Sequence, residues 1–571
     1  MSPQKGHVAD CSRNTRPPCL VSRLLPDLKA PDIPGLNAKL YNRAMEPEGG
    51  HDDGIAIKPA ILVLVGLFLL ACLPVWLVKY PPMVDYPMHV ARAYLLSQVQ
   101  NGQGITEFYR ANWIPIPNLG MDLLVAGLCK FMPALIAGKV FLCLIIAGIL
   151  SGGFALSVAV HKRVLIVAFL PALALYDLWF LMGFANYLFG IGIALWTTAV
   201  WLGTPDGQTR KKWGLLTLLA VALIVTHLMA FLVTVAVILV IEYGKKVGHR
   251  VASQRVAMLA TASCALLAAG LIFLHRTPIK MDERIWTLAQ ILRPFGSKDR
   301  LIPAMVNVVF VGLTYGLVLL RKVQLAPRSL LVMPAIAGLS VLTLFGPSFI
   351  SGTAFAGDRL TLPLVILALA CFDDVVNREP KSAQGHRSFR ETPQFGVVSM
   401  LLIFLVVFWE SAGSFWFSKA PDIAKQVEAI SRLPERSTLA SFDLGLRHDL
   451  TWKYQRHVPD WILLDKPIFV AQNFAKTRQQ PMVFRPEFEE WHKYQTNNPI
   501  EKDSWQDVVD EIPKMRSIQQ RLNDRLVASG RQPSPLFVIV FHTPEQPYDD
   551  KTCPGLTLIE PGVEATIVQV R

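Results

Sequence analysis

The run 213-WGLLTLLAVALIVTHLMAFLVTVAVILVIEY-243 is longer than one membrane crossing requires, since about 20 apolar residues span the hydrocarbon core. Its threading sets the side of everything that follows. The next segment, 242-EYGKKVGHRVASQR-255, is basic. A single helix over 213–243 puts that segment outside; a fold-back near Thr226–His227 puts it inside. Short cytoplasmic loops carry the excess of Lys and Arg. The other basic loops hold Lys162–Arg163, Arg210–Lys211–Lys212, Arg321–Lys322 with Arg328, and Arg378 with Lys381, Arg387 and Arg390. The fold-back keeps all of them on one side and is preferred. It yields two short helices, 213–226 and 228–243. A helix of about 14 residues reaches only about 21 Å, less than a core of about 30 Å. Such a hairpin suits the wall of a cavity dipping into the membrane.

Working outward, further spans are expected near 59–79, 133–160, 164–181, 184–203, 256–274, 303–320, 330–347, 360–376 and 396–412. The stretch 119-LGMDLLVAGLCKFMP-133 is too short to cross and reads as re-entrant or interfacial. The sum is a polytopic α-helical membrane protein of about 11 transmembrane helices. Its N-terminus is cytoplasmic, and a C-terminal soluble α/β domain lies on the outer side. Residues 1–58 form a polar tail, either disordered or an over-extended start with Met45 as the alternative. The bundle occupies 59–414, with outer loops 80–132 and 275–302. Residues 415–571 alternate strand-like runs such as 536-LFVIVFH-542 with helix-like segments such as 504-SWQDVVDEIPKMRSIQQRLNDRLVAS-529.

Composition agrees with this. The chain is 52% hydrophobic and carries a net charge of +13. The charge sits in the loops between spans, so it does not point to nucleic acid. Eight scattered cysteines show no CxxC pair and no zinc spacing, which argues against a disulfide or structural-metal framework.

On this threading, ionisable residues collect on the outer face. Asp85 and His89 stand in the first outer loop, in 81-PPMVDYPMHVARAYLL-96. Asp122, Asp177, Asn186, His227, Asp358 and Arg359 lie near the same surface. The loop 275-HRTPIKMDERIWTLAQILRPFGSKDR-300 adds six Lys or Arg residues. Ionisable groups beside spans are costly and are functional candidates by default. Each also has a structural reading. Asp85 is placed to cap the helix that Pro87 begins. His89, four residues on, shares its face. Asp177 and Asn186 suit inter-helix hydrogen bonds, and Arg359 suits snorkelling to the headgroups. The set also fits sugar transfer from a polyprenyl-phosphate donor. A carboxylate base activates an acceptor hydroxyl while cations or a metal stabilise the leaving phosphate. Asp85 suits the base. His89, His227, Asn186, Asp358 and Arg359 suit substrate binding. No metal ligands are fixed by spacing; a divalent cation is the one cofactor candidate.

At this point the chain resembles the GT-C superfamily of integral membrane glycosyltransferases, of the bacterial type that uses polyprenyl-phosphate sugars. The resemblance rests on a carboxylate-bearing first outer loop, here 84-VDYPMHVARA-93, on short helices around an outward cavity, and on a C-terminal outer domain. The segments 183-GFANYLFG-190 and 357-GDRLTLP-363 are similar to those of bacterial membrane proteins of this type. Family members commonly pair two acids in the first loop; here Asp85 is followed by His89. The resemblance implies a transferase of the inner (plasma) membrane with a periplasmic C-terminal domain. Its partners are membrane lipid and a lipid-phosphate sugar donor, and its acceptor is an outer-face glycan, lipid or protein. Two alternatives stand beside it. One is a non-catalytic component of an envelope polysaccharide system. The other is a transporter or lipid flippase, which should show repeated halves and broken helices at the midplane.

Overall fold

The computed structural model describes residues 56–100, 107–113, 116–203, 209–247, 323–325, 329–345, 349–350, 353–354, 356–374, 415–444, 453–473, 480–497, 501–542, 547–549, 553–562 and 564–570. The expected spans at 256–274, 303–320 and 396–412, the outer loop 275–302 and the tail up to residue 55 lie outside these residues.

Among the described residues three helices are long and apolar enough to cross a membrane: α1 (Ile57–Leu77), α4 (Ala134–His161) and α6 (Ala185–Gly203). Between α1 and α4 come α2 (Tyr86–Gln100), strand β1 (Tyr109–Ala111) and the nine-residue α3 (Gly120–Leu128). The α4–α6 contact is close because glycines face each other. A Cβ on Gly192 would lie 2.9 Å from the Gly148 backbone. Small residues let apolar helices approach where no hydrophobic force drives them together. Buried Lys139 of α4 donates to the Val78 carbonyl at 2.6 Å. It thereby satisfies an open carbonyl at the end of α1, where a cation also suits the helix dipole.

The expected span 164–181 is not a helix. It forms a 3-10 segment (Ile166–Ala174) and a four-residue helix, α5 (Leu178–Leu181). Pro171 removes an N–H from the run. Tyr176 stands at φ +56°, and the Asp177 side chain accepts from the Phe180 amide at 2.9 Å to start α5. The expected 360–376 span is also cut short. The helix α10 covers only Thr361–Leu369, about 14 Å of rise, and the strand Phe372–Asp374 follows.

The long apolar run does fold back. It forms α7 (Thr209–Thr226) and α8 (Leu228–Val247), interrupted at His227. Trp201, at the far end of α6, touches both arms. Its ring lies 5.6 Å from that of Trp213, and its indole N–H donates to Glu242 at 2.8 Å. The tip packs at the other end of α6, where a Cβ on Gly190 would lie 2.8 Å from Ala230 and 3.4 Å from His227. The Val225 carbonyl near the tip accepts the Leu119 amide at 2.8 Å. The arms run to 18 and 20 residues because their polar ends join the helices. They are therefore longer than the apolar letters alone predict. Helix α9 (Ser329–Phe345) packs against α8 and α10.

Beyond a helix at 415–431, a six-stranded mixed sheet forms. Its strands are β2 (Thr438–Leu444), β3 (Phe469–Val470), β5 (Glu501–Lys502), β6 (Leu536–Phe541), β7 (Leu556–Glu560) and β8 (Ala565–Val570). The order is β7-β8-β6-β2-β3, with β5 also on β2. β2 runs parallel to β3, β5 and β6, while β8 is antiparallel to β6 and β7. Every residue of β2 and β6 is buried, as expected of parallel strands covered on both faces. Helix α11 (Trp505–Ala528) buries Val508, Ile512, Met515, Ile518, Leu522 and Leu526, an apolar stripe at helical spacing. Ser504 and Asp507 close its N-terminus as a capping box.

The stretch between α1 and α3 is built into this C-terminal region. β1 pairs antiparallel with β4 (Met482–Phe484), Tyr109 opposite Phe484. Tyr80 and Tyr86 pack on Trp461 at 5.2 and 5.7 Å between ring centres. Phe108 packs on Phe469 and Phe488. One buried core runs from the membrane helices into the sheet.

Candidate active site

Asp85 stands at the start of α2, where its carbonyl accepts the His89 amide. Its backbone is pinned from the opposite side. Val84 and Asp85 donate to the Leu181 and Met182 carbonyls at 2.9 and 3.1 Å. Gly183, at φ +76°, lies so near that a Cβ there would sit 2.6 Å from the Tyr86 nitrogen. Only glycine takes that conformation and that approach together. The Asp85 side chain is 26% exposed.

Its Oδ1 faces His457 Nε2 at 3.8 Å. His457 precedes a 3-10 turn (Val458–Leu464) that packs on α2. The other ring nitrogen, Nδ1, lies 3.1 Å from Asp460 Oδ2. Asp460 is fully buried, and its Oδ1 accepts from Asn473 Nδ2 at 2.7 Å. The sequence analysis did not single out His457 or Asp460. Their one local signal is the His-x-x-Asp spacing in 457-HVPD-460.

Burial pushes the Asp85 carboxyl above its ordinary range. Four basic side chains pull the other way: His457 first, then Arg456, Arg359 and Arg92. The group is thus desolvated yet held among positive charge.

His89 and Asp122 form a second cluster with Arg92. Arg92 Nε and Nη2 reach the two oxygens of Asp122 at 2.6 and 3.0 Å, and both side chains are fully buried. Arg92 Nη2 also lies 2.9 Å from His89 Nδ1. Burial, then Arg92, then His457 push the His89 imidazole well below its ordinary range. It is neutral at neutral pH and accepts from Arg92.

Arg359 lies before α10, in a 3-10 turn (Asp358–Leu360). Its guanidinium covers the Phe184 ring at 3.8 Å and lies 5.7 Å from that of Tyr187, within cation–π range. The Tyr187 hydroxyl donates to the Arg359 carbonyl. The His227 ring meets Tyr187 edge-on at 5.3 Å between centres. Among the described residues Arg359 Nε and His227 Nδ1 are buried without a hydrogen-bond partner, an arrangement that is costly unless another group completes it.

The Asn186 amide bonds to backbone. Its Oδ1 accepts the Met121 amide at 2.5 Å and its Nδ2 donates to the Asn118 carbonyl at 2.9 Å. It satisfies backbone at the start of α3, not an open pocket. The Asp358 side chain lies outside the described residues. Among the described residues no three His, Cys, Asp or Glu side chains are grouped to hold a metal. Asp122, the nearest candidate for a second acid in the first loop, has both oxygens taken by Arg92.

No family model matches the chain, and no curated protein matches it. Among solved structures, it is similar to ArnT from Cupriavidus metallidurans bound to undecaprenyl phosphate, at TM-score 0.46 and 11% identity over 90% of this chain and 98% of that one. The apo state of ArnT gives TM-score 0.46 and 13% identity over the same shares. At these values the likeness carries no part of the functional reading below.

Proposed function

We propose that the chain is an integral membrane glycosyltransferase of the GT-C type, taking its sugar from a polyprenyl-phosphate donor. One observation carries this. A partly buried carboxylate, Asp85, lies among arginines where apolar helices meet the C-terminal region, and one of them, Arg359, has a buried Nε with no partner among the described residues. A lipid-anchored phosphate reaches such a place along the helices, and a hydroxyl-bearing acceptor reaches it from water.

Asp85 takes the proton of the acceptor hydroxyl as its oxygen attacks the anomeric carbon. The bond from that carbon to the phosphate oxygen breaks, and polyprenyl phosphate leaves with the bonding pair. One displacement inverts the anomeric centre. A base raised by burial works closer to neutral pH than an ordinary carboxylate. Arg359 offers a planar fork to the phosphate, and neutral His227 adds a hydrogen-bonding nitrogen. Fixed cations aimed at the developing phosphate charge stabilise the transition state. The proposed orientation puts the sheet and Asp85 on the outer face, with basic short loops in the cytoplasm.

The test is release of polyprenyl phosphate by purified full-length protein in liposomes, given a panel of radiolabelled polyprenyl-phosphate sugars and an outer-membrane glycan extract. Acceptor-dependent release from one donor supports the reading. Undiminished donor across the panel, with protein folded by thermal unfolding, counts against it.

A further inference from the structure

The His457–Asp460–Asn473 chain lies outside the residues that the transfer chemistry itself uses. It belongs to the C-terminal region, while the carboxylate it faces belongs to the first outer loop. Asp460 lies 3.1 Å from Nδ1, and Asn473 holds the other Asp460 oxygen at 2.7 Å. A carboxylate there fixes the proton on Nδ1 and orients the ring. Nε2 then points at Asp85 Oδ1, 3.8 Å away. Two facing lone pairs would repel, so the contact requires a proton between Nε2 and Oδ1.

We propose that His457, oriented by Asp460 and Asn473, is a positioning residue that acts through Asp85. As an imidazolium it keeps the Asp85 carboxylate ionised and aimed, and so couples docking of the C-terminal region to a working base. This deepens the transferase reading and rests on it for the role of Asp85. The charged and titratable groups facing the pair are Arg456 beside His457, Arg359 before α10, and His89 and Arg92 on α2. The arginines keep their charge throughout, and His89 is neutral, so His457 is the group among them whose charge can be removed by one neutral substitution of similar size.

The test reads protonation, not turnover. In full-length protein in detergent, the infrared band of protonated carboxyl is titrated, and the part missing from Asp85→Asn is assigned to Asp85. An opposite charge within about 4–6 Å lowers a carboxyl pKa by about 1–3. His457→Gln or His457→Asn should therefore raise the midpoint by about one pH unit or more. Gln retains the Nε2-side contact and Asn the Asp460 bond, so either folded variant serves. His457→Lys, which keeps the charge, should return the midpoint toward wild type. An unchanged midpoint in the neutral variants, or an equal rise with Lys, overturns the proposal. Because no sugar transfer is measured, loss of this coupling and loss of the transferase reading are separate results.

Discussion

Arg92 holds both carboxylate oxygens of Asp122 with each side chain fully buried, which ties α2, the helix that Asp85 precedes, to α3. Removing one partner of a buried pair leaves a charge without compensation, at about 3–5 kcal/mol. Asp122→Asn should therefore destabilise the protein by that order in a denaturant titration in detergent. The double variant Arg92→Met, Asp122→Leu should recover much of the loss, because it removes both charges. A loss under about 1 kcal/mol in the single variant is what an exposed pair gives and would contradict the structural role.

Gly183 sets where Asp85 can be. Gly183→Ala forces a side chain into a left-handed conformation, at about 1–2 kcal/mol, and presses on the Asp85 and Tyr86 nitrogens. The expected result is a fall in kcat of tenfold or more, because a misplacement of about 1 Å can cost about 10² in rate. Gly214→Ala, where a Cβ meets nothing within 4 Å, is the control and should leave turnover alone. Equal turnover of the two variants would show that the Gly183 approach does not position the site.

Arg359 distinguishes phosphate binding from snorkelling. If it only reaches headgroups, Lys is harmless, since either stem suffices. If it clamps phosphate, Lys loses the fork and Ala loses the charge as well. Hydrogen bonds to charged groups contribute about 1.5–3 kcal/mol, so Ala should lose at least about tenfold in donor turnover. Equal activity of wild type, Lys and Ala at matched protein levels would place Arg359 outside the site.

Much of this architecture was legible because hydrophobic runs and loop charge are local signals. The spans read at 59–79, 133–160 and 184–203 became α1, α4 and α6 within a few residues. Asp85, His227 and Arg359 were visible as ionisable groups beside apolar runs, and the structure brings Arg359 within electrostatic reach of both Asp85 and His227. The break at 164–181 was hidden because apolar letters record burial and not helix. Pro171 and Asp177 were the only marks of it. His457 was hidden for another reason. Its role comes from a contact between distant parts of the chain, and a His-x-x-Asp spacing alone is common. Asn186 was visible as polar, yet its partners are backbone atoms of α3 and the preceding turn, which no side-chain pattern announces.

Asp85 also fixes the sign of two pH effects. Its folded pKa is raised by burial, so the folded state holds that proton more tightly than the unfolded chain. The stability linked to it is present at low pH and is lost as pH rises through the folded value. Relative to wild type, Asp85→Asn should thus gain stability as pH rises, in unfolding measured from acid to neutral pH. A wild-type rate profile should fall on its acid side above the ordinary Asp range of about 3.9. Stability of the Asn variant that falls relative to wild type as pH rises would contradict a net desolvated carboxylate.

The central claim is that Asp85 is the base of a sugar transfer, and donor turnover by Asp85→Asn tests it most directly. The measurement is release of polyprenyl phosphate from the donor the wild type consumes, with variant and wild type matched for amount and for unfolding temperature. General-base catalysis contributes about 10²–10⁴ in rate, so the variant should retain no more than about a hundredth of wild-type turnover. A residual rate above about a tenth of wild type, below the smallest effect expected of a lost base, would contradict the account.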